Sequence, residues 1–271
     1  LKAYNPMSVA ELQAFAPGFD WPAYLQAAQL GKLRRVVVAE KSAFPRIAAL
    51  YARTPVATIK AWQATRIADN AAFYLSRPFQ DAYFSMHDQT LTGQKLQQLR
   101  WKRAVHAVSG GDCFGERIDC FGNLGWAVGQ LYTAQYFPPQ AKAKIEQLVA
   151  HLKGAYRSRI QHLDWMTPAT RQEALRKLDT YTIKVGYPDH PRDYSAVVMR
   201  NDDLVGNVLR AAHADWAFYV NRLGGPVDRS DWSMTPQTNN AYNGLLRDIV
   251  FPAGILQPPS FDPNADPAIN Y

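Results

Sequence analysis

The chain has 271 residues, a net charge of +7, 47% hydrophobic residues and 20% charged residues. This composition is globular and excludes a disordered, collagen-like or low-complexity chain. No apolar run reaches the roughly 18 to 20 residues that a membrane-spanning helix needs. The chain begins with Leu1, carries no signal-peptide pattern and stops at Tyr271 in an expected ordered loop. We therefore expect an interior fragment of a longer protein.

Helix signals dominate most of the chain. The order Ser8-Val9-Ala10-Glu11 predicts a capping box, and Asp20 before Trp21-Pro22 predicts a second helix start. Proline positions and apolar stripes predict further helices at Thr54 to about residue 75, Lys95–Val108, Leu124–Tyr136, Pro139 to about Leu163, Thr167 to about Leu178, and from Asp202 or Asp203 to Gly224-Gly225. These segments predict a mainly α chain.

Strand signals are few and concentrate near the end. Short strands are predicted at Val36–Val38 and Thr182–Val185, and extended segments follow at Asn239–Asn243 and Ile249–Phe251. Residues 201–271 hold four Arg and eight Asp, with no Lys or Glu, for a net charge of −4. The change of texture and charge predicts a boundary between about 200 and 235, with the first strands of an α+β domain after it.

Residues 1–200 therefore carry a net charge of +11, because 7 − (−4) = 11. A basic region leaves nucleic-acid binding open as an alternative function. The basic residues, however, form short groups among apolar residues at helical spacing, which is typical of solvated helix faces. We therefore expect no nucleic-acid partner.

Cys113 and Cys120 are the only cysteines, in a glycine-rich stretch that favours a hairpin. A disulfide between them would indicate an oxidising compartment, periplasmic or extracellular. Two reduced thiols are the alternative. No zinc-type partner pair lies nearby, so the disulfide is the preferred interpretation.

Side-chain chemistry alone indicates no active site. None of the six histidines lies four residues from another, the spacing that places two imidazoles on one helix face for a metal. No P-loop, G-x-G-x-x-G or G-x-S-x-G motif occurs. The strongest local signal is Asn240-Ala241-Tyr242, which can form an edge strand that pairs with a peptide, its Asn amide clamping a peptide group. A plain sheet strand is the alternative.

A series of motifs runs through the chain in order: Tyr4–Met7, Arg100–Val105, Val128–Tyr132, Trp165-Met166, Thr170–Ala174, Lys184–Asp189, Met234–Gln237, Asn240–Tyr242, Ile249–Pro259 and Ala265–Tyr271. In this order the motifs resemble the neprilysin family of zinc metallopeptidases, family M13, which includes bacterial oligopeptidases of the PepO type. The resemblance covers nearly the whole chain. It implies a large helical lobe followed by the first strands of a thermolysin-like α+β catalytic domain, with the division at 1–205 and 206–271.

The resemblance also implies roles for individual residues. Asn240 and Ala241 match the pair that grips the substrate backbone beside the scissile bond, and Ile255 matches a residue lining the hydrophobic pocket after that bond. Ser260 stands where relatives often have an aromatic residue of the same pocket, which leaves the size of the pocket open. These residues are the expected substrate-binding set.

The same resemblance implies a zinc-dependent endopeptidase of small peptides. In relatives an H-E-x-x-H helix and the other zinc ligands follow the stretch that ends at Tyr271, so Zn²⁺ and its ligands are expected outside this chain. The expected partners are small peptide substrates and the remaining C-terminal catalytic segment. The chain alone is expected to be inactive. A catalytically inactive homologue that binds peptides or other proteins is the alternative.

Overall fold

The structure is a computed structural model that describes residues 3–110, 122–244 and 247–271. The chain divides into two compact units, Leu1–Gln97 with Asp215–Gly224, and Gln98–Ala214 with Gly225–Tyr271. Both are mainly helical, so the predicted fold class is confirmed. In the described residues, no helix combines the length and apolar character needed to cross a membrane.

The first unit consists of short helices and one two-stranded antiparallel sheet, β1 with β2. In chain order its elements are β1 (Pro6–Ser8), α1 (Val9–Phe15), α2 (Trp21–Ala27), β2 (Arg35–Val37), α3 (Phe44–Arg53), α4 (Val56–Asn70), a 3-10 turn (Ala72–Tyr74), α5 (Arg77–Tyr83) and a π-helix (Phe84–Thr90). The predicted helix from Thr54 to about residue 75 is shorter than expected and ends at Asn70.

The predicted caps of the first two helices are confirmed. Ser8 Oγ accepts from the Glu11 N–H at 3.1 Å, and the Glu11 carboxylate accepts from the Ser8 N–H at 2.6 Å. Asp20 accepts from the Ala23 N–H at 3.0 Å. Each contact satisfies a backbone donor that has no partner within its helix, which fixes where the helix begins.

The second unit contains longer helices and a three-stranded sheet. Its elements are α6 (Arg100–Ser109), α7 (Gly125–Tyr136), α8 (Pro139–Gln161), α9 (Pro168–Thr180), β3 (Thr182–Gly186), the start of α10 (Leu204–Val220), β4 (Tyr242–Asn243), β5 (Asp248–Pro252) and α11 (Pro267–Asn270). The predicted helix from Lys95 begins later, at Arg100, and the expected terminal loop contains α11. Asp203 caps α10, as predicted, by accepting from the Gly206 N–H at 2.9 Å.

Two buried apolar clusters hold the second unit together. The larger cluster joins α8 to β3 and the segment after β5 through Phe137, Ala141, Ile145, Val185, Ala253, Leu256 and Phe261. The smaller one consists of Trp126, Trp232 and Val250, with Tyr194 and Tyr242 packed against it. Side chains alternate between the two faces of a strand, so β5 contributes Val250 to one cluster while Phe251 packs against the other. The sheet is therefore covered by apolar side chains on both faces.

Candidate functional site

The predicted Asn240–Tyr242 segment leads into the edge strand of the three-stranded sheet. The strand order is β3-β5-β4, with β5 parallel to β3 and antiparallel to β4. Tyr242 pairs with Val250, and Asn243 pairs with Ile249. Among the described residues, β4 has a sheet neighbour on one side, so its other side is an open edge.

The hydrogen-bond pattern shows which backbone groups face that edge. The Gly244 N–H donates to the Asp248 carbonyl at 2.8 Å, which makes these residues a hydrogen-bonded pair. Hydrogen-bonded and non-hydrogen-bonded pairs alternate along an antiparallel ladder, so Tyr242 also directs its N–H and C=O toward β5. The backbone groups of Asn243 and Ala241 therefore point away from β5, toward the open edge.

The Asn240 side chain contacts this edge directly. Its Oδ1 accepts from the Ala241 N–H at 2.8 Å, and Asn240 itself is half-buried. An Asn amide has two N–H donors besides its oxygen. One outward backbone donor of the edge is thus occupied by the neighbouring side chain, while the amide nitrogen keeps donors for a further acceptor.

Tyr242 anchors the edge strand to the smaller apolar cluster. Its ring packs against Trp126, Trp232 and Val250, and its Oη accepts from the Ser233 N–H at 2.7 Å. Burial raises the pKa of the Tyr242 hydroxyl above its ordinary value, although the hydrogen bond from Ser233 acts in the opposite direction. A neutral hydroxyl is therefore retained throughout the physiological pH range, and it fixes one face of β4.

Two of the sequence motifs, Val128–Tyr132 and Met234–Gln237, contact each other just before the edge strand. Gln237 Nε2 donates to the carbonyls of Ser109 at 2.8 Å and Gly125 at 3.0 Å. A Cβ at Gly129 would lie 2.5 Å from Pro236 Cδ, closer than real Cβ contacts. The helix α7 thus needs a glycine at that position because the turn before Asn240 packs directly on it.

Ile255 and Ser260 occupy different environments. Ile255 is half-buried against the larger apolar cluster. The neighbouring Gly254 N–H donates to the Pro236 carbonyl at 2.8 Å, which ties this turn to the segment before the edge strand. Ser260 is exposed, and its N–H donates to the Gln257 carbonyl at 2.9 Å. The structure thus joins the turn that carries Ile255 to the segment that precedes Asn240 and Ala241, through the Gly254–Pro236 hydrogen bond.

The sequence did not indicate a buried ion pair below the hairpin. Lys184 Nζ donates to Asp248 Oδ2 at 2.6 Å, with the side chains 6% and 3% exposed. It also donates to the Asp231 carbonyl at 2.6 Å. The two partners are 64 residues apart in the chain and meet only because β3 and β5 lie side by side.

The described residues contain no group of three His, Cys, Asp or Glu side chains placed to hold a metal ion. The zinc ion that the resemblance implies is therefore assigned to none of them. The expected Cys113–Cys120 disulfide lies outside the described residues. The candidate site is the open edge of β4 with the Asn240 side chain beside it.

Comparisons with known proteins find similarity to peptidases. A family profile described as Peptidase family M13 matches residues 1–188. The neutral endopeptidase of Lactobacillus helveticus is 30% identical over 271 residues, covering 99% of this chain and 40% of that protein. The open state of the Mycobacterium tuberculosis zinc metalloprotease is 42% identical, with a TM-score of 0.88, covering 98% of this chain and 40% of the other.

A structure of PepO from Lactobacillus rhamnosis gives a similar result. It is 29% identical with a TM-score of 0.78, and the match covers 99% of this chain and 41% of that protein. The chain thus spans about two fifths of the length of these relatives. Because the matches cover nearly all of this chain, the similarity includes the edge strand as well as the helices.

Proposed function

This chain belongs to peptidase family M13, and on that premise we propose that it is part of a zinc-dependent metalloendopeptidase that cleaves small peptides. In this proposal the chain supplies the strand that binds the substrate backbone and the helical lobe that encloses it. The zinc ligands and the general base lie in a C-terminal catalytic segment outside these 271 residues, and that segment is the chain's main partner.

The open edge of β4 is the observation that carries the proposal. An extended peptide can add to an exposed sheet edge, where main-chain hydrogen bonds provide affinity for many sequences. The N–H and C=O of Asn243 and the C=O of Ala241 provide this pairing, since the ladder directs them away from β5. The Ala241 N–H is already bonded to Asn240 Oδ1. Such pairing selects extended peptides, as a small-peptide endopeptidase requires.

Asn240 serves as the side-chain clamp in this proposal. Its Oδ1 already orients the Ala241 N–H, and its amide nitrogen offers donors to a carbonyl of the bound peptide. The small side chain of Ala241 leaves the edge accessible to a second backbone. Ile255, tied to the same region through Gly254, is proposed to line the pocket for the side chain after the scissile bond.

The organisation around this strand is also a proposal. Residues 1–205 form part of the helical N-terminal domain of the family, and residues 206–271 form the linker helix and the start of the catalytic domain.

We place the protein in the periplasm or outside the cell, with Cys113 and Cys120 bonded. Thiol titration of the denatured protein, with and without reductant, tests the bond.

The test uses the protein that carries this chain together with its catalytic segment. Asn240→Ala should lower kcat/KM for a fluorogenic oligopeptide by about 10- to 100-fold, because one or two hydrogen bonds to the peptide are lost. Asn239→Ala is the matched control, since Asn239 is exposed and lies one residue before the clamp. It should leave kcat/KM within about twofold.

Equal kcat/KM values for the two variants would contradict the role of Asn240. The inactive-homologue alternative predicts a different result. It requires that the unmutated protein bind the oligopeptide without releasing products, even with a stoichiometric supply of zinc. Product release that depends on zinc therefore separates the enzyme from the binding protein.

A further inference from the structure

The buried pair Lys184–Asp248 lies beneath the hairpin that presents the peptide-binding edge. Asp248 is the first residue of β5 and lies opposite Gly244, the residue that follows β4. Lys184 reaches it from the neighbouring β3, so the ion pair joins β3 to β5 at the residue of β5 that faces the end of β4. The β4–β5 ladder itself comprises two residue pairs, Tyr242 with Val250 and Asn243 with Ile249.

The Asp248 carboxylate is held tightly against the hairpin. Its Oδ1 is buried and has no hydrogen-bond partner in the described part of the chain. A Cβ at Gly244 would lie 2.2 Å from this atom, so the carboxylate occupies the space that any other residue at 244 would need. A side chain in this position transmits a displacement directly to the end of β4.

Stability alone is a weak explanation for such a pair. The removal of two charges from water costs about as much free energy as their attraction returns, and apolar pairs often replace them without loss. The best-attested use of a buried polar contact is to specify register. Register matters here because a slip by one residue would reverse which backbone groups of β4 face the open edge.

We infer that Lys184 and Asp248 are positioning residues that hold the β4–β5 hairpin in the register required for peptide binding. This inference rests on the proposed function. The pair touches no substrate in this account. It acts through the hairpin, by keeping Ala241 and Asn243 directed toward the peptide, and it selects one arrangement of the edge over its slipped alternatives.

The variants are Lys184→Met with Asp248→Asn, made together so that no unpaired charge stays buried. Gly244→Ala is a second variant, because it displaces the carboxylate without a change of charge. Lys142→Met is the matched control. Lys142 also donates to one carboxylate, Asp189 at 2.7 Å, and to one backbone carbonyl, Tyr187 at 3.3 Å, away from the hairpin.

The measurements are the Kd of a non-hydrolysable oligopeptide, KM and kcat for its cleavable analogue, and Tm, all in the protein that includes the catalytic segment. The double variant and Gly244→Ala should raise Kd and KM about tenfold while kcat stays within about twofold, since uniform binding is lost. The control should change neither. A lower Tm with unchanged Kd and KM would reduce the pair to a structural role and overturn the inference.

The unmutated protein separates this inference from the proposed function. Peptide binding without cleavage would contradict the proposed endopeptidase activity, and Kd would still measure the positioning role. Cleavage by the unmutated protein, with unchanged Kd in both variants, would support the endopeptidase activity and contradict the positioning role. An unmutated protein that binds no peptide removes both.

Discussion

The sheet region of the second unit and helix α4 of the first unit bury their apolar side chains to very different degrees. In the second unit Phe137 is 2% exposed and Val250 is fully buried, at the centres of two separate clusters. In the first unit α4 has no buried residue, and its Val56, Trp62 and Ile67 are 66%, 63% and 69% exposed. The sheet is therefore closely packed, whereas α4 is not.

This difference indicates that the sheet region is the part of the chain that can hold a binding site in a fixed geometry. A binding site needs support from elements whose own side chains are fixed by packing and hydrogen bonds. The edge strand has such support from Tyr242, the turn at Gln237 and the Lys184–Asp248 pair. The first unit has buried residues of its own, such as Val38, but the exposed helix α4 contributes none of them.

The largest expected effect is the loss of a core aromatic residue from the second unit. Phe137→Ala should lower the free energy of unfolding by about 3 to 5 kcal/mol, because it leaves a cavity in the larger cluster. Trp62→Ala, a comparable truncation on α4, should cost about 0.5 kcal/mol or less. Urea titration of both variants measures the contrast. Losses of equal size would contradict the comparison between the sheet region and α4.

A pair of glycines sharpens the comparison. Gly186 and Gly93 both have φ of +75°, but a Cβ at Gly186 would lie 2.5 Å from the Phe137 ring, whereas one at Gly93 has nothing within 4 Å. Gly93→Ala should cost about 1 to 2 kcal/mol for the left-handed backbone alone. Gly186→Ala should cost about 1 to 3 kcal/mol more, through overpacking. Thermal unfolding that shows the same shift for both would contradict this account.

Helix caps should not distinguish the two units. Ser8 caps α1 in the first unit, and Thr167 caps α9 in the second by accepting from the Thr170 N–H at 3.2 Å. Either residue replaced by Ala should cost about 1 kcal/mol, because each leaves one helix donor without its partner. Denaturant midpoints compared at constant m test this equality. A cost confined to one unit would show that its helix ends depend on packing instead.

The smallest expected effect is a pH dependence at the start of α10. The hydrogen bond from the Arg210 guanidinium, followed by that from the Gly206 N–H, holds the pKa of Asp203 below its ordinary value. Because the folded-state pKa is the lower one, this stabilisation is present at neutral pH and is lost as the pH falls through it. The difference in Tm between the unmutated protein and Asp203→Asn should therefore shrink as the pH falls below about 5. A difference that grows on acidification would reverse the assigned sign.

The helices that begin at a capping side chain were predictable from the sequence. Ser8, Asp20 and Thr167 mark starts that the structure confirms, since a capping side chain acts within three residues. The helix α3 was not predicted, because Ala43 at its start makes no side-chain cap. The π-helix Phe84–Thr90 was also missed, because its wider turn has no distinct apolar period in the sequence.

The candidate site was predictable only in part. The extended segment at Asn240 was visible because its residues and their resemblance are local in the chain. The support beneath it was not, because the meeting of Lys184 with Asp248 depends on the parallel register of β3 and β5. Contacts across 64 residues carry no local signal, so sequence patterns identified the strand but not what holds it.

The central claim is that the open edge of β4 pairs with a peptide backbone. Residue-resolved hydrogen–deuterium exchange of the protein with its catalytic segment, with and without a saturating non-hydrolysable oligopeptide, tests it most directly. The account predicts that the peptide slows exchange at the outward amide of Asn243 by about tenfold or more. The amides of Ala241, already bonded to Asn240 Oδ1, and Tyr242, directed toward β5, should change little. Unchanged exchange at the Asn243 amide, despite saturation, would contradict it.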